Sequence, residues 1–146
     1  MAYSNILIAV DGSDFSTNAA KRGIELAEQL SASVTLLCVI DLSAIVTNAS
    51  VGAIDSEVFT IYEEEAQTIL DKLEKKYPYS KIKKMIVEGV PTETIWRTAR
   101  SDKADMIVMG THGRRGLNHL FMGSVAEYVV RHSKIPVMVI PSPAIK

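Results

Sequence analysis

Five short runs of the chain are apolar at nearly every position: residues 6–10 (ILIAV), 34–40 (VTLLCVI), a weaker run at 82–87, 106–109 (MIVM) and 136–140 (PVMVI). Runs of this length and uniformity predict strands covered on both faces. Between them, apolar positions recur with the helical period. Ala20, Gly23, Ile24, Ala27 and Leu30 share one face of a first helix, with Ser16 or Thr17 as its N-cap. A second helix, from about Ser56 to Lys76, carries the stripe Val58, Tyr62, Ala66, Ile69 and Leu73 and ends before Pro78. Its Glu63-Glu64-Glu65 run reads as a solvated face. A third helix opens at Pro91, a good first-turn residue, with Ile95 and Ala99 one turn apart. A fourth begins near Ser124, where Ser124-Val125-Ala126-Glu127 has the form of a capping box. Strands alternating with helices predict parallel pairing through crossovers, hence an α/β domain with an open five-stranded sheet between two helical layers. The pattern alone leaves the strand order open between a flavodoxin-like arrangement and others. Residues 41–55 are the least regular stretch and read as a surface loop or a loosely ordered helix start.

Composition narrows the class. The 146 residues are 47% hydrophobic and 23% charged, which fits a single domain over 1–146 and is too apolar for disorder. A chain of this length buries roughly two thirds of its unfolded surface, enough for a core without staples. The net charge of -1 supplies no electrostatic footprint for nucleic acid. The lone Cys38 lies inside the second apolar run and has no partner for an internal disulfide; it reads as a small core residue of a reduced, intracellular protein. The first residues have no charged segment or cleavage site of a secretory signal, and no apolar stretch approaches the ~20 residues that span a bilayer. The expectation is a cytoplasmic protein with no membrane partner.

In an open parallel sheet, ligands bind beyond the carboxyl ends of the strands. Strand one is followed by Asp11-Gly12-Ser13-Asp14, strand two by Asp41, and strand three by Glu88-Gly89-Val90-Pro91. The richest connection follows strand four: Gly110-Thr111-His112-Gly113-Arg114-Arg115-Gly116, then Leu117 to Met122, then Gly123-Ser124 and the last helix. At roughly fourteen residues it is long for a strand-to-helix loop, and long ordered loops are often functional. Its glycines permit close approach of a ligand to the backbone. Gly123-Ser124 puts amides and a hydroxyl at a helix N-terminus, which favours phosphate. Arg114 and Arg115 add guanidinium donors. Each feature also has a plainer reading: turn glycines, a helix cap, solvated arginines. His112 and His119 lack a metal-ligand spacing and fit loop packing or a phosphate contact. Asp11 and Asp14 fit either Mg²⁺ coordination or turns. The P-loop, the Gly-x-Gly-x-x-Gly fingerprint and the Gly-x-Ser-x-Gly elbow are absent, and Glu88-Gly89 stands where a phosphoacceptor receiver domain would end its third strand in aspartate.

Gly110-x-x-Gly113, nine further residues and then Gly123-Ser124 resemble the ATP-binding signature of the universal stress protein family. Residues 6–13 (ILIAVDGS) resemble the family's opening strand and acidic turn, Gly89-Val90-Pro91-Thr92-Glu93-Thr94-Ile95 its third-helix start, and 104–110 with 135–140 its last two strands. The likeness covers essentially the whole chain. It implies a Rossmann-like, adenine nucleotide alpha hydrolase-like fold with strand order 3-2-1-4-5. It also implies an ATP site: adenine near Val10, Val39 and Val90, Asp11 on the adenine or ribose, and Met109, Gly110 and Gly113 along the ribose and phosphate path. Gly123, Ser124 and Val125 would hold phosphates through amides and the Ser124 hydroxyl, with His112 and Arg114 as further phosphate contacts. Mg²⁺ would accompany a triphosphate. A homodimer is implied through strand five, Pro136, Val137, Met138, Val139 and Ile140, whose apolar edge would otherwise stand open.

Three functions compete on these residues. One is an ATP-binding regulatory protein acting in stress response. Another is a slow or partner-dependent ATPase; no general base or Mg²⁺-holding pair stands out, so efficient catalysis is not expected and no catalytic residue is assigned. The last is a dimeric interaction module that uses the scaffold without nucleotide.

Overall fold

A computed structural model describes residues 3–43, 56–112 and 122–141. Five strands form one sheet: β1 (Asn5–Val10), β2 (Ser33–Asp41), β3 (Ile82–Gly89), β4 (Met106–Gly110) and β5 (Val137–Ile140). Their order is β3-β2-β1-β4-β5 and every neighbouring pair is parallel. The alternating pattern therefore yields the expected α/β class, with the order that the resemblance implies. β3 and β4 run slightly beyond their apolar runs, to Gly89 and Gly110, and β5 starts one residue later than expected because Pro136 has no amide for a ladder.

The sheet is covered by α1 (Asp14–Leu30), α2 (Ser56–Lys76), α3 (Pro91–Ser101) and α4 (Ser124–His132). Period-two alternation sends successive strand residues to two different cores. Ile6, Ile8, Val10, Val34, Leu36, Cys38, Ile40 and Val108 pack with α1 and α2. Leu7, Leu37, Ile107 and Met109 pack with Ile95 and Ala99 of α3 and Ala126 and Val129 of α4. Cys38 is buried as a core residue.

Three local expectations are corrected. The N-cap of α1 is Ser13, not Ser16 or Thr17: Ser13 Oγ accepts the Ser16 amide at 3.2 Å. Asp11 Oδ1 accepts the Ser13 amide at 2.9 Å, so the turn closes early enough to place Ser16 inside the helix, where its buried hydroxyl donates to the Ser13 carbonyl. The capping box of α4 does not form. Gly123 is the N-cap, no side chain caps the helix, and Glu127 instead pairs with Arg131 at 2.8 Å. On α2, Val58 is exposed and the buried positions are Ala66, Leu70 and Leu73, while Phe59 and Tyr62 are half-buried against the same core. Leu30, at the end of α1, is exposed as well. Most of the stretch 41–55 lies outside the described residues; Asp41 itself closes β2.

Candidate functional site

After β1 the chain turns into α1 on one face of the sheet; after β4 it continues towards α4 on the other. The carboxyl ends of these adjacent strands are thus a topological switch point, the general position of the ligand crevice in open α/β sheets.

The crevice has an apolar floor. On the α3–α4 face, Leu7 of β1 and Leu37 of β2 are fully buried, but the next same-face residues, Ala9 and Val39, are only half-buried, as is Val87 on β3. Val39 pairs with Val87 in register, and Ala9 pairs with Leu37, so the three form a patch across β1, β2 and β3. Val10, expected beside Val39, does not belong to this patch. Its side chain is buried in the opposite core under α1 and α2. Ala9, its neighbour in β1, is the residue on the patch face. Sequence reasoning singled out neither Ala9 nor Val87; the register of β1 and β3 with β2 is what brings them beside Val39. Val90 stands at the rim as the N-cap of α3 and is 49% exposed. Met109 lies on the same face as the patch but is buried.

The wall nearer β4 rests on two backbone approaches. A Cβ on Gly110 would sit 3.0 Å from the Phe15 carbonyl oxygen, so glycine there lets the first turn of α1 lie against β4. A Cβ on Gly123 would sit 2.9 Å from the Thr111 carbonyl oxygen. That carbonyl accepts the Gly123 amide at 2.6 Å, and the Thr111 amide donates to Ile140 O at 3.0 Å. The long connection therefore leaves and returns through one hydrogen-bonded neck.

This neck changes the role of Gly123. Its amide, expected to face phosphate, is held by Thr111. The amides of Ser124, Val125 and Ala126, in the first turn of α4, have no intrahelical acceptor. Ser124 is exposed and Val125 half-buried beside the α3–α4 core. Asp11 follows β1 directly, with its carboxylate on the Ser13 amide and its own amide on Ser16 Oγ at 3.1 Å. His112 is buried, at 9% exposure. Its ring packs on Phe15 with centroids 5.2 Å apart, and its Nδ1 is 3.1 Å from Thr111 Oγ1. Gly113 and Arg114 lie outside the described residues.

Residues 2–141 match the universal stress protein family. The chain belongs to that family. Universal stress protein MJ0531 of Methanocaldococcus jannaschii is 38% identical over 143 residues, which are 97% of this chain and 84% of that one. The solved structure of MJ0577, from the same organism, superposes with a TM-score of 0.86 at 30% identity and covers 99% of this chain and 100% of that chain. The universal stress protein from Archaeoglobus fulgidus in complex with dAMP shares the fold, with a TM-score of 0.66 at 21% identity over 96% of this chain and 99% of that one.

Within this universal stress protein, two hollows have other linings. One of about 470 Å³ is lined by Leu42, Ser56, Phe59, Thr60, Glu63 and Glu88, beside α2. The other, of about 400 Å³, is lined by Asn5, Ser33, Val34, Thr35, Lys83 and Asp102. Neither includes the Ala9–Val39–Val87 patch or the start of α4. Among the described residues, no three His, Cys, Asp or Glu groups are arranged to hold a metal, and no helix is long and apolar enough to cross a membrane.

Proposed function

We propose that this universal stress protein is a nucleotide-dependent regulatory protein of the cytoplasm that binds ATP in the crevice between β1 and β4. The observation that carries the proposal is the juxtaposition of two unlike surfaces. A half-buried apolar patch suits a purine face, and a helix start with open amides suits phosphate. In this reading the base rests on Ala9, Val39 and Val87 with Val90 at its rim, and Asp11 meets the base or ribose. Met109 and Gly110 back the ribose path, and the amides of Ser124, Val125 and Ala126 with the Ser124 hydroxyl hold phosphate oxygens. Gly113 and Arg114 keep the phosphate role that the family signature implies. The Archaeoglobus fulgidus protein, built on the same scaffold, carries dAMP. A Mg²⁺ ion accompanying the triphosphate would be held by phosphate oxygens and water.

Calorimetric titration of nucleotide-stripped protein with ATP tests this. Saturable binding that weakens in Ser124→Ala is the expected result; no heat and no retention of ATP overturns it. In this reading the protein signals through occupancy, without efficient hydrolysis. Steady turnover above about 1 s⁻¹ would overturn that part.

The proposal includes a homodimer. β5 pairs with β4 on one side only, and Val137, Met138, Val139 and Ile140 are all half-buried. An apolar edge of this kind is protected when a second copy adds its own β5. Native mass spectrometry should give twice the chain mass, and Val139→Lys should give a monomer; a monomeric wild-type protein rules the dimer out.

A further inference from the structure

A buried side chain with one polar atom left unpaired calls for a physical reason. His112 Nε2 is such an atom: it is buried and has no hydrogen-bond partner among the described residues. The other ring nitrogen is engaged with Thr111 Oγ1 at 3.1 Å. If Nδ1 accepts from the threonine hydroxyl, Nε2 is an orphaned donor; if Nδ1 donates, Nε2 is an orphaned acceptor. Either tautomer makes histidine a poorer space-filler here than phenylalanine, which would pack on Phe15 without burying an unpaired nitrogen. Packing alone does not explain the imidazole.

Its position suggests what does. His112 touches three elements that frame the crevice. Its ring packs on Phe15 in the first turn of α1. Its Nδ1 holds the side chain of Thr111, whose carbonyl takes the Gly123 amide and whose amide reaches the end of β5. Its Cα lies 3.3 Å from where a Cβ on Gly123 would stand. At 9% exposure, the ring is buried against Phe15.

We propose that His112 is a positioning residue: through Thr111 it holds the neck that sets where α4 begins, and hence where the phosphate-binding amides stand. This rests on the nucleotide reading for its consequence, but not for its structural content. The phosphates of a ligand depend on His112; the base, seated across β1, β2 and β3, does not.

The experiment compares His112→Phe, Thr111→Val and the double variant with wild type. The readouts are thermal midpoint, hydrogen exchange of the Gly123 amide, and affinity for ATP and for adenosine. His112→Phe should fold with an equal or higher midpoint, because the orphaned nitrogen is gone. Its Gly123 amide should exchange about five- to tenfold faster, the loss of roughly one hydrogen bond's worth of protection. ATP affinity should fall by a similar factor while adenosine affinity stays within about twofold. Thr111→Val should behave alike, and the double variant should lose little more, since both remove the same contact. A folded His112→Phe that protects Gly123 as well as wild type and keeps the wild-type ATP-to-adenosine ratio overturns the proposal, leaving the ring as filler. Should stripped wild-type protein bind no adenine nucleotide while Gly123 exchange still accelerates in the variants, the nucleotide reading fails and the positioning role stands.

Discussion

At the amino end of the sheet, polar side chains are bonded to one another across the strands; at the carboxyl end, the first amides of α4 have no intrahelical acceptor and an apolar patch is half-buried. Asp102, just past α3 and with its side chain only 8% exposed, accepts hydrogen bonds from Lys83 Nζ and from the buried Thr35 hydroxyl at 2.7 Å, while its carbonyl takes Asn5 Nδ2 at 2.8 Å. Asp105 accepts the backbone amides of Ser4 and Asn5. A hollow of about 400 Å³ exists there, yet its polar lining residues Asn5, Thr35, Lys83 and Asp102 are bonded to one another. At the other end, the Ser124, Val125 and Ala126 amides have no intrahelical acceptor, and Ala9, Val39 and Val87 are half-buried. Closed polar networks stabilise; open ones bind. The difference sets a bonded polar network at one end of the sheet against helix-start amides and a half-buried apolar patch at the other.

The sharpest way to break this contrast is Asp102→Ala. It leaves the Thr35 hydroxyl buried without its acceptor and should lower stability by about 2–3 kcal/mol in urea unfolding. ATP affinity of the remaining folded protein should be unchanged. A loss below about 0.5 kcal/mol, the range of a neutral surface change, would mean that the amino-end network is not structural. Next in size is Ala9→Leu, which fills the apolar floor. ATP binding should weaken at least about tenfold, roughly 1.4 kcal/mol, while unfolding stability changes by less than about 1.5 kcal/mol. If affinity survives, the base does not sit on this patch. Ser124→Ala removes one hydroxyl and leaves the amides in place, so the loss should be only about three- to tenfold. A larger fall would put more of the phosphate recognition in the side chain than the geometry suggests.

The smallest effect is in pH. Burial pushes the Asp102 carboxyl up, but bonds from Lys83, Thr35 and Asn5 outweigh it and hold the group below its ordinary value. The Ser4 and Asn5 amides do the same for Asp105. Groups that are more acidic when folded add stability that is fully present above the unfolded value, about 3.9, and disappears as pH falls through the lower folded value. Stability should therefore be flat in this respect from pH 7 to pH 5 and fall below about pH 4. Asp102→Asn should flatten part of that fall. A decline that begins near pH 6 would point to a group other than these aspartates.

The fold was legible in the residue pattern because five uniformly apolar runs separated by helical periods permit few arrangements. Strand order was not, and came only with the family likeness. The site was half legible. Gly110, Gly123 and Ser124 stand out by type and place, but their roles depend on which atom is already bonded, and the 2.6 Å bond between Gly123 and Thr111 leaves no trace in composition or spacing. Val10 was put on the wrong face for a related reason. A strand covered on both sides is apolar at every position, so it lacks the alternation that distinguishes Ala9 from Val10 until its register with β2 is known. The capping-box motif at Ser124 misled because a cap is defined by where the helix starts, one residue earlier.

The joined stem at Thr111 and Gly123 has an evolutionary and engineering consequence. Since the two ends of that connection are already brought together by their own bond, lengthening the chain between them adds little loop-closure entropy, about 0.6 kcal/mol per doubling. A foreign peptide grafted there would leave the sheet's register undisturbed.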